Sequence, residues 1–118
     1  MATVLTQVGE EWIIDKLDAA TRADYIGWGT GAGTAAKESV ALFTAAAEAR
    51  VQGTTTQPAA DKLQVVATIT CASTGKTITN AGLWTAITDG ILVLFGDFTG
   101  IPLAVGDSIQ FTFQLEMT

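Results

Sequence analysis

The sequence predicts a single, mainly β domain: an antiparallel β-sandwich or small jelly-roll-like barrel with one N-terminal α-helix. Three observations carry this. Apolar and polar residues alternate along 63–71 and 108–117, the period of a strand with one buried face. Shorter apolar runs are punctuated by Ser-Thr-Gly, Asp-Gly and Gly-Asp turn signals. At 118 residues with 48 % hydrophobic content, the chain can fill one core but is too short for two ordinary domains. The expected layout is one domain over 1–118, with a helix about 7–20, a glycine-rich loop 27–34 and a sandwich about 40–118.

Thr6 is placed to cap a helix whose first turns carry Glu10 and Glu11, where the helix dipole favours negative charge. Val8, Trp12, Ile13, Leu17 and Ala20 recur at helical spacing, so the helix is expected to dock through Trp12, with Glu11 and Asp15 facing out.

The stretch YIGWGTGAGT follows, with glycine at every second position from Gly27 to Gly33. Its spacing matches neither the dinucleotide-binding G-x-G-x-x-G nor a P-loop, and Lys37 does not stand in a G-K-[ST]. Two structural readings stay open: a loop, or a side-chain-poor strand against which another backbone packs.

Residues 35–50 are alanine-rich and fit helix or extended chain, since periodicity does not decide between them. Pro58 breaks the run, which predicts a connection over 57–62. Leu63, Val65, Ala67, Ile69 and Cys71 then form the inner face of a strand. After the turn at 73–76 comes a strand over 77–84, with Gly82 as a bulge or close approach. Asp89-Gly90 predicts a hairpin, and residues 91–95 are apolar on both faces, as in a central or partner-covered strand. Phe98 to Pro102 leads to a turn at Gly106-Asp107. Ile109, Phe111, Phe113, Leu115 and Met117 line the inner face of the last strand.

Composition narrows the function. Twelve acidic against six basic residues give a net charge of −6, and the bases Lys16, Arg22, Lys37, Arg50, Lys62 and Lys76 are scattered singly. That balance opposes nucleic acid and anionic lipid, so neither is expected as a partner. No apolar stretch is long enough to span a bilayer, and residues 1–12 lack a signal-peptide pattern. The expectation is a soluble chain folded in a reducing cytosol, with Cys71, its single cysteine, buried as a small apolar residue.

There is no histidine, so the usual Ser-His and Cys-His nucleophiles and His-containing zinc sites are out of reach. No calcium-loop motif occurs, and the carboxylates nominate no catalytic pair. The expectation is a protein without catalytic residues, cofactor, metal or small-molecule substrate. A hydrolase using two of Asp89, Asp97 and Asp107, or a carbohydrate-binding sandwich using exposed tryptophans, are the alternatives.

Residues 77–84 (TITNAGLW), 89–98 (DGILVLFGDF) and 105–113 (VGDSIQFTF) together resemble small virion structural proteins of tailed bacteriophages. In these an I-T-N/E-A-G-L-F strand, a G-G-x-L hairpin, an F-x-x-I-x-L segment and a G-D-x-I-x-F-T final strand recur. YIGWGTGAGT, Leu42-Phe43-Thr44 and Glu48-Ala49-Arg50-Val51 extend the likeness over most of the chain. Trp84 stands where phenylalanine is usual, and Asp89-Gly90 replaces Gly-Gly.

The resemblance implies a capsid decoration (cement) protein on the virion surface, made in the host bacterial cytoplasm. It would bind the major capsid protein and self-associate as a homotrimer. A tail, neck or fibre-attachment component is the nearest competitor. Tyr25, Trp28 and Phe43 are the candidate contact residues, because aromatics beside glycine-rich segments suit interface anchors. Aromatic residues dominate ordinary cores, so for each of Trp12, Trp28 and Trp84 the core is the favoured reading over an interface.

Overall fold

The computed structural model describes residues 1–19 and 23–117. It is mainly β, with a helix α1 (Gln7–Ala19) followed by strands β1 (Tyr25–Gly29), β2 (Val51–Gln52), β3 (Thr54–Ala59), β4 (Lys62–Thr70), β5 (Lys76–Trp84), β6 (Leu92–Leu103) and β7 (Ser108–Glu116). A four-stranded antiparallel sheet, in the order β2-β1-β5-β6, faces a three-stranded one, β3-β4-β7. The sheets do not close, so the fold is a sandwich and not a barrel.

β4 places Leu63, Val65, Ala67 and Ile69 inward, and Cys71 continues the buried row. Ile26 and Trp28 of β1 and Ile78, Ala81 and Leu83 of β5 meet them from the other sheet. β7 pairs with β4 from Lys62↔Glu116 to Thr70↔Ser108 without a slip, as its unbroken alternation requires. Its inner residues are only half-buried, because β7 is an edge strand. The turns sit where glycine and aspartate placed them. Asp89 and Gly90 both take positive φ, and Gly106 does so before Asp107.

Several expectations are corrected. The helix ends at Ala19 and residue 20 lies outside the described residues. α1 buries Ile14, while Trp12 and Val8 stand in solvent, so Trp12 does not dock it. The apolar residues of α1 lie on more than one face, and the body selected the other one.

Gly27–Gly29 belong to β1 and not to a loop, so the sandwich begins well before residue 40. Residues 35–50 contain no helix despite their alanines; tertiary contacts override the propensity. Pro58 lies inside β3, where an edge position and a register shift between Thr56 and Ala59 accommodate its missing N–H. Residues 92–95 lie on the edge strand β6, not a central one, and β6 runs on through Pro102.

Candidate functional site

The alternating glycines answer to one physical need. Ile26 and Trp28 point into the core, so Gly27, Gly29, Gly31 and Gly33 leave the opposite side of this segment bare. Residues 42–46 return along that bare track. A Cβ on Gly29 would stand 2.5 Å from the Phe43 carbonyl oxygen, and one on Gly33 would stand 2.7 Å from the Phe43 ring. Backbone bonds seal the contact: Thr30 N donates to Thr44 O at 2.9 Å, Gly31 N to Phe43 O at 2.9 Å and Ala46 N to Trp28 O at 3.1 Å.

Asn80 of β5 completes the clamp. Fully buried, it accepts from Phe43 N at 3.1 Å through Oδ1 and donates to Phe43 O at 3.1 Å through Nδ2. Its side-chain amide pairs with the Phe43 backbone as a neighbouring strand would. Thr79 Oγ1 adds a bond to Gly31 O.

Two charged groups fix the far end of the returning segment. Glu48 is half-buried, with its side chain 6 % exposed, and accepts from Trp28 Nε1 at 3.0 Å, from Ala72 N at 2.9 Å and from Lys76 Nζ. Burial alone would raise its pKa, but the bonds from Lys76, Ala72 and Trp28 outweigh that and hold it at about 2. The Arg50 guanidinium lies 3.6 Å from the centre of the Trp84 ring and donates to Ala86 O at 2.8 Å and Asp89 O at 2.7 Å. Burial lowers its pKa, opposed by the Asp89 charge.

A recess of about 340 Å³ lies between residues 41–50 and the β5–β6 turn, walled largely by Ala41, Leu42, Ala45, Ala46 and Ala49. The polar atoms of Glu48 and Arg50 at its rim are engaged by the protein itself. Among the described residues no group of three Cys, Asp or Glu could hold a metal ion. No helix there is long and apolar enough to cross a membrane.

Tyr25, Trp28 and Phe43 do not form one surface. Tyr25 is half-buried at the start of β1, opposite Gln52 and Trp84. Phe43 is half-buried and packs on Phe95, ring centres 5.0 Å apart. Trp28 is only 1 % exposed, edge-on to Phe111 at 6.3 Å, so it belongs to the core and is withdrawn from any contact surface. Trp84 is buried as well, and Trp12 alone of the tryptophans is exposed.

The open surface lies elsewhere. β6 and β7 are the long edge strands on one side of the sandwich, and the inner faces between them are incompletely covered. Val93 and Ile101 of β6 are 42 % and 40 % exposed, and Ile91 and Val105 in the flanking turns are more so. Unpaired strand edges and open apolar side chains are material for association. Asp97 and Pro102 interrupt β6 with the residue types that restrain indiscriminate pairing.

Sequence reasoning missed the Asn80 clamp and the Glu48 centre; of this edge it had only the doubly apolar run 91–95, read as central or partner-covered. A polar residue within the run Ile78-Thr79-Asn80-Ala81 was the available signal for the first. Comparison of the chain with protein-family models, curated proteins and solved structures finds no match.

Proposed function

We propose that this chain is a non-enzymatic structural protein of a tailed-phage particle: a capsid decoration protein that binds the major capsid protein at the virion surface and self-associates as a homotrimer. The observation that supports binding over turnover is the division of its side chains. Glu48, Arg50 and Asn80 are committed to holding residues 42–50 on the sheet, while Ile91, Val93, Ile101 and Val105 stand open along one edge. The choice of a phage particle rests on the motif resemblance, whose three segments fall on β5, β6 and β7 and the turns between them.

Repetition by symmetry lets modest contacts reinforce a shell, each burying apolar area worth roughly 25 cal/mol per Å². The test is co-sedimentation with capsids that lack the chain. Saturation at a fixed ratio to the major capsid protein is the expected result. Failure to bind capsids, with capture by tails or necks instead, would move the protein to the competing tail or neck reading.

A further inference from the structure

α1 carries two apolar faces. On one, Ile14 is buried and Leu17 half-buried where the helix meets β3, β4 and the end of the sandwich. On the other, Val8 is 74 % and Trp12 61 % exposed, and Leu5, just before the helix, is 55 % exposed. At 100° per residue the centres of the two faces lie about 180° apart, so no rotation of the helix buries both on its own body.

Within the helix Val8 and Trp12 are spaced by four residues, the d and a positions of a heptad, and the exposed Leu5, two residues before the helix starts, has its side chain beside Gly9. The same frame puts Ile14 and Leu17 at c and f, on the body side. It also puts Glu11 at g and Lys16 at e, so the exposed seam has an acid on one flank and a base on the other. In a parallel pairing the g residue meets the partner's e residue five positions on, which brings Glu11 to Lys16. An antiparallel pairing sets g positions against g and e against e, so Glu11 no longer meets Lys16. Lys16 already lies beside the seam, its Nζ 5.6 Å from the centre of the Trp12 ring. Asp15, at the next d position, accepts from Gln57 Nε2 of its own body at 2.8 Å and ends the apolar run.

We infer that α1 is a parallel self-association seam. Copies of this chain meet through Leu5, Val8 and Trp12 around a common axis, with Glu11 of one copy beside Lys16 of the next. This rests on the self-association in the reading above and not on the capsid.

Sedimentation equilibrium of the full chain tests it. Trp12→Glu is expected to abolish the oligomer while leaving the far-ultraviolet circular dichroism of a folded chain, because Trp12 is outside the core. E11K and K16E should each weaken association about tenfold, and the double variant E11K/K16E should restore it. Under mild oxidation Val8→Cys should give disulfide-linked dimers, since a parallel, in-register arrangement brings the Val8 positions of neighbouring copies together. An oligomer that persists in Trp12→Glu, a double charge variant no better than the singles, or no Val8→Cys cross-link would overturn the seam and leave self-association to another surface. A native chain that is monomeric at all concentrations would overturn self-association itself, whatever capsids do.

Discussion

Replacing Asn80 by alanine should release residues 42–46 from the sheet. The side chain is fully buried and makes bonds of 3.1, 3.1 and 3.0 Å to Phe43 N, Phe43 O and Thr79 Oγ1. Phe43 O keeps its bond from Gly31 N, so the principal orphan is the Phe43 N–H. An unsatisfied buried donor costs about 1–3 kcal/mol. The space left by the amide adds about 1 kcal/mol. The sum, about 2–4 kcal/mol, corresponds to a fall in melting temperature of roughly 8–16 °C for a domain of this size.

Thermal unfolding followed by circular dichroism reads the total. Hydrogen exchange reads the location: the amides of Thr30, Gly31 and Ala46, bonded to or within the returning segment, should lose protection before those of β4. Asn80→Asp supplies a second check. Ionised, it keeps an acceptor for Phe43 N but sets a charge against Phe43 O. Burial raises its folded pKa above the unfolded value, so its deficit should be smaller at pH 4 than at pH 7. A melting temperature within about 3 °C of the native chain for Asn80→Ala, with unchanged exchange at those amides, would refute the clamp.

Two further perturbations probe the same assembly. Gly29→Ala should destabilise by about 2–4 kcal/mol, because the new methyl would collide with the Phe43 carbonyl and the Asn80 amide. Gly96→Ala, with open space around its Cβ, should be neutral or stabilising by up to about 1 kcal/mol; urea midpoints that rank the two the other way would contradict the packing of the track. The carboxyl of Glu48 titrates at about 2 in the fold against an ordinary 4.5, so its contribution is complete above about 4.5 and is lost as pH falls toward 2. Urea midpoints from pH 6 to pH 2 should therefore fall less steeply in Glu48→Gln than in the native chain, and parallel curves would sink this assignment.

The β half of the fold was legible because its information is local. Alternation in 63–71 and 108–117 specifies one face, and Asp89-Gly90 and Gly106 supply the positive φ of their turns. The glycine stretch was legible as a choice between loop and strand. What decided it was a segment some fifteen residues downstream, whose backbone pairs with Asn80, and no local pattern encodes that partner. Helix propensity in 44–50 lost for the same reason: in its irregular, non-helical course Glu48 and Arg50 reach partners on β1, β5 and the turns after β4 and β5.

Trp12 was misplaced because α1 has apolar residues on opposite sides, and size favoured the tryptophan where geometry favoured Ile14. For Trp28 the core reading holds, and its candidacy as a contact residue, which came from its glycine neighbours, does not. Those glycines mark instead the bare side of a strand whose other side drives Trp28 into the core.

The most direct measurement of the central claim, that this chain works by binding in a particle, is the mass of capsids titrated with it, followed by charge-detection mass spectrometry. The account predicts stepwise gain in multiples of the oligomer's mass to a plateau fixed by the symmetry of the shell. A capsid mass that does not change at saturating chain concentration would contradict it.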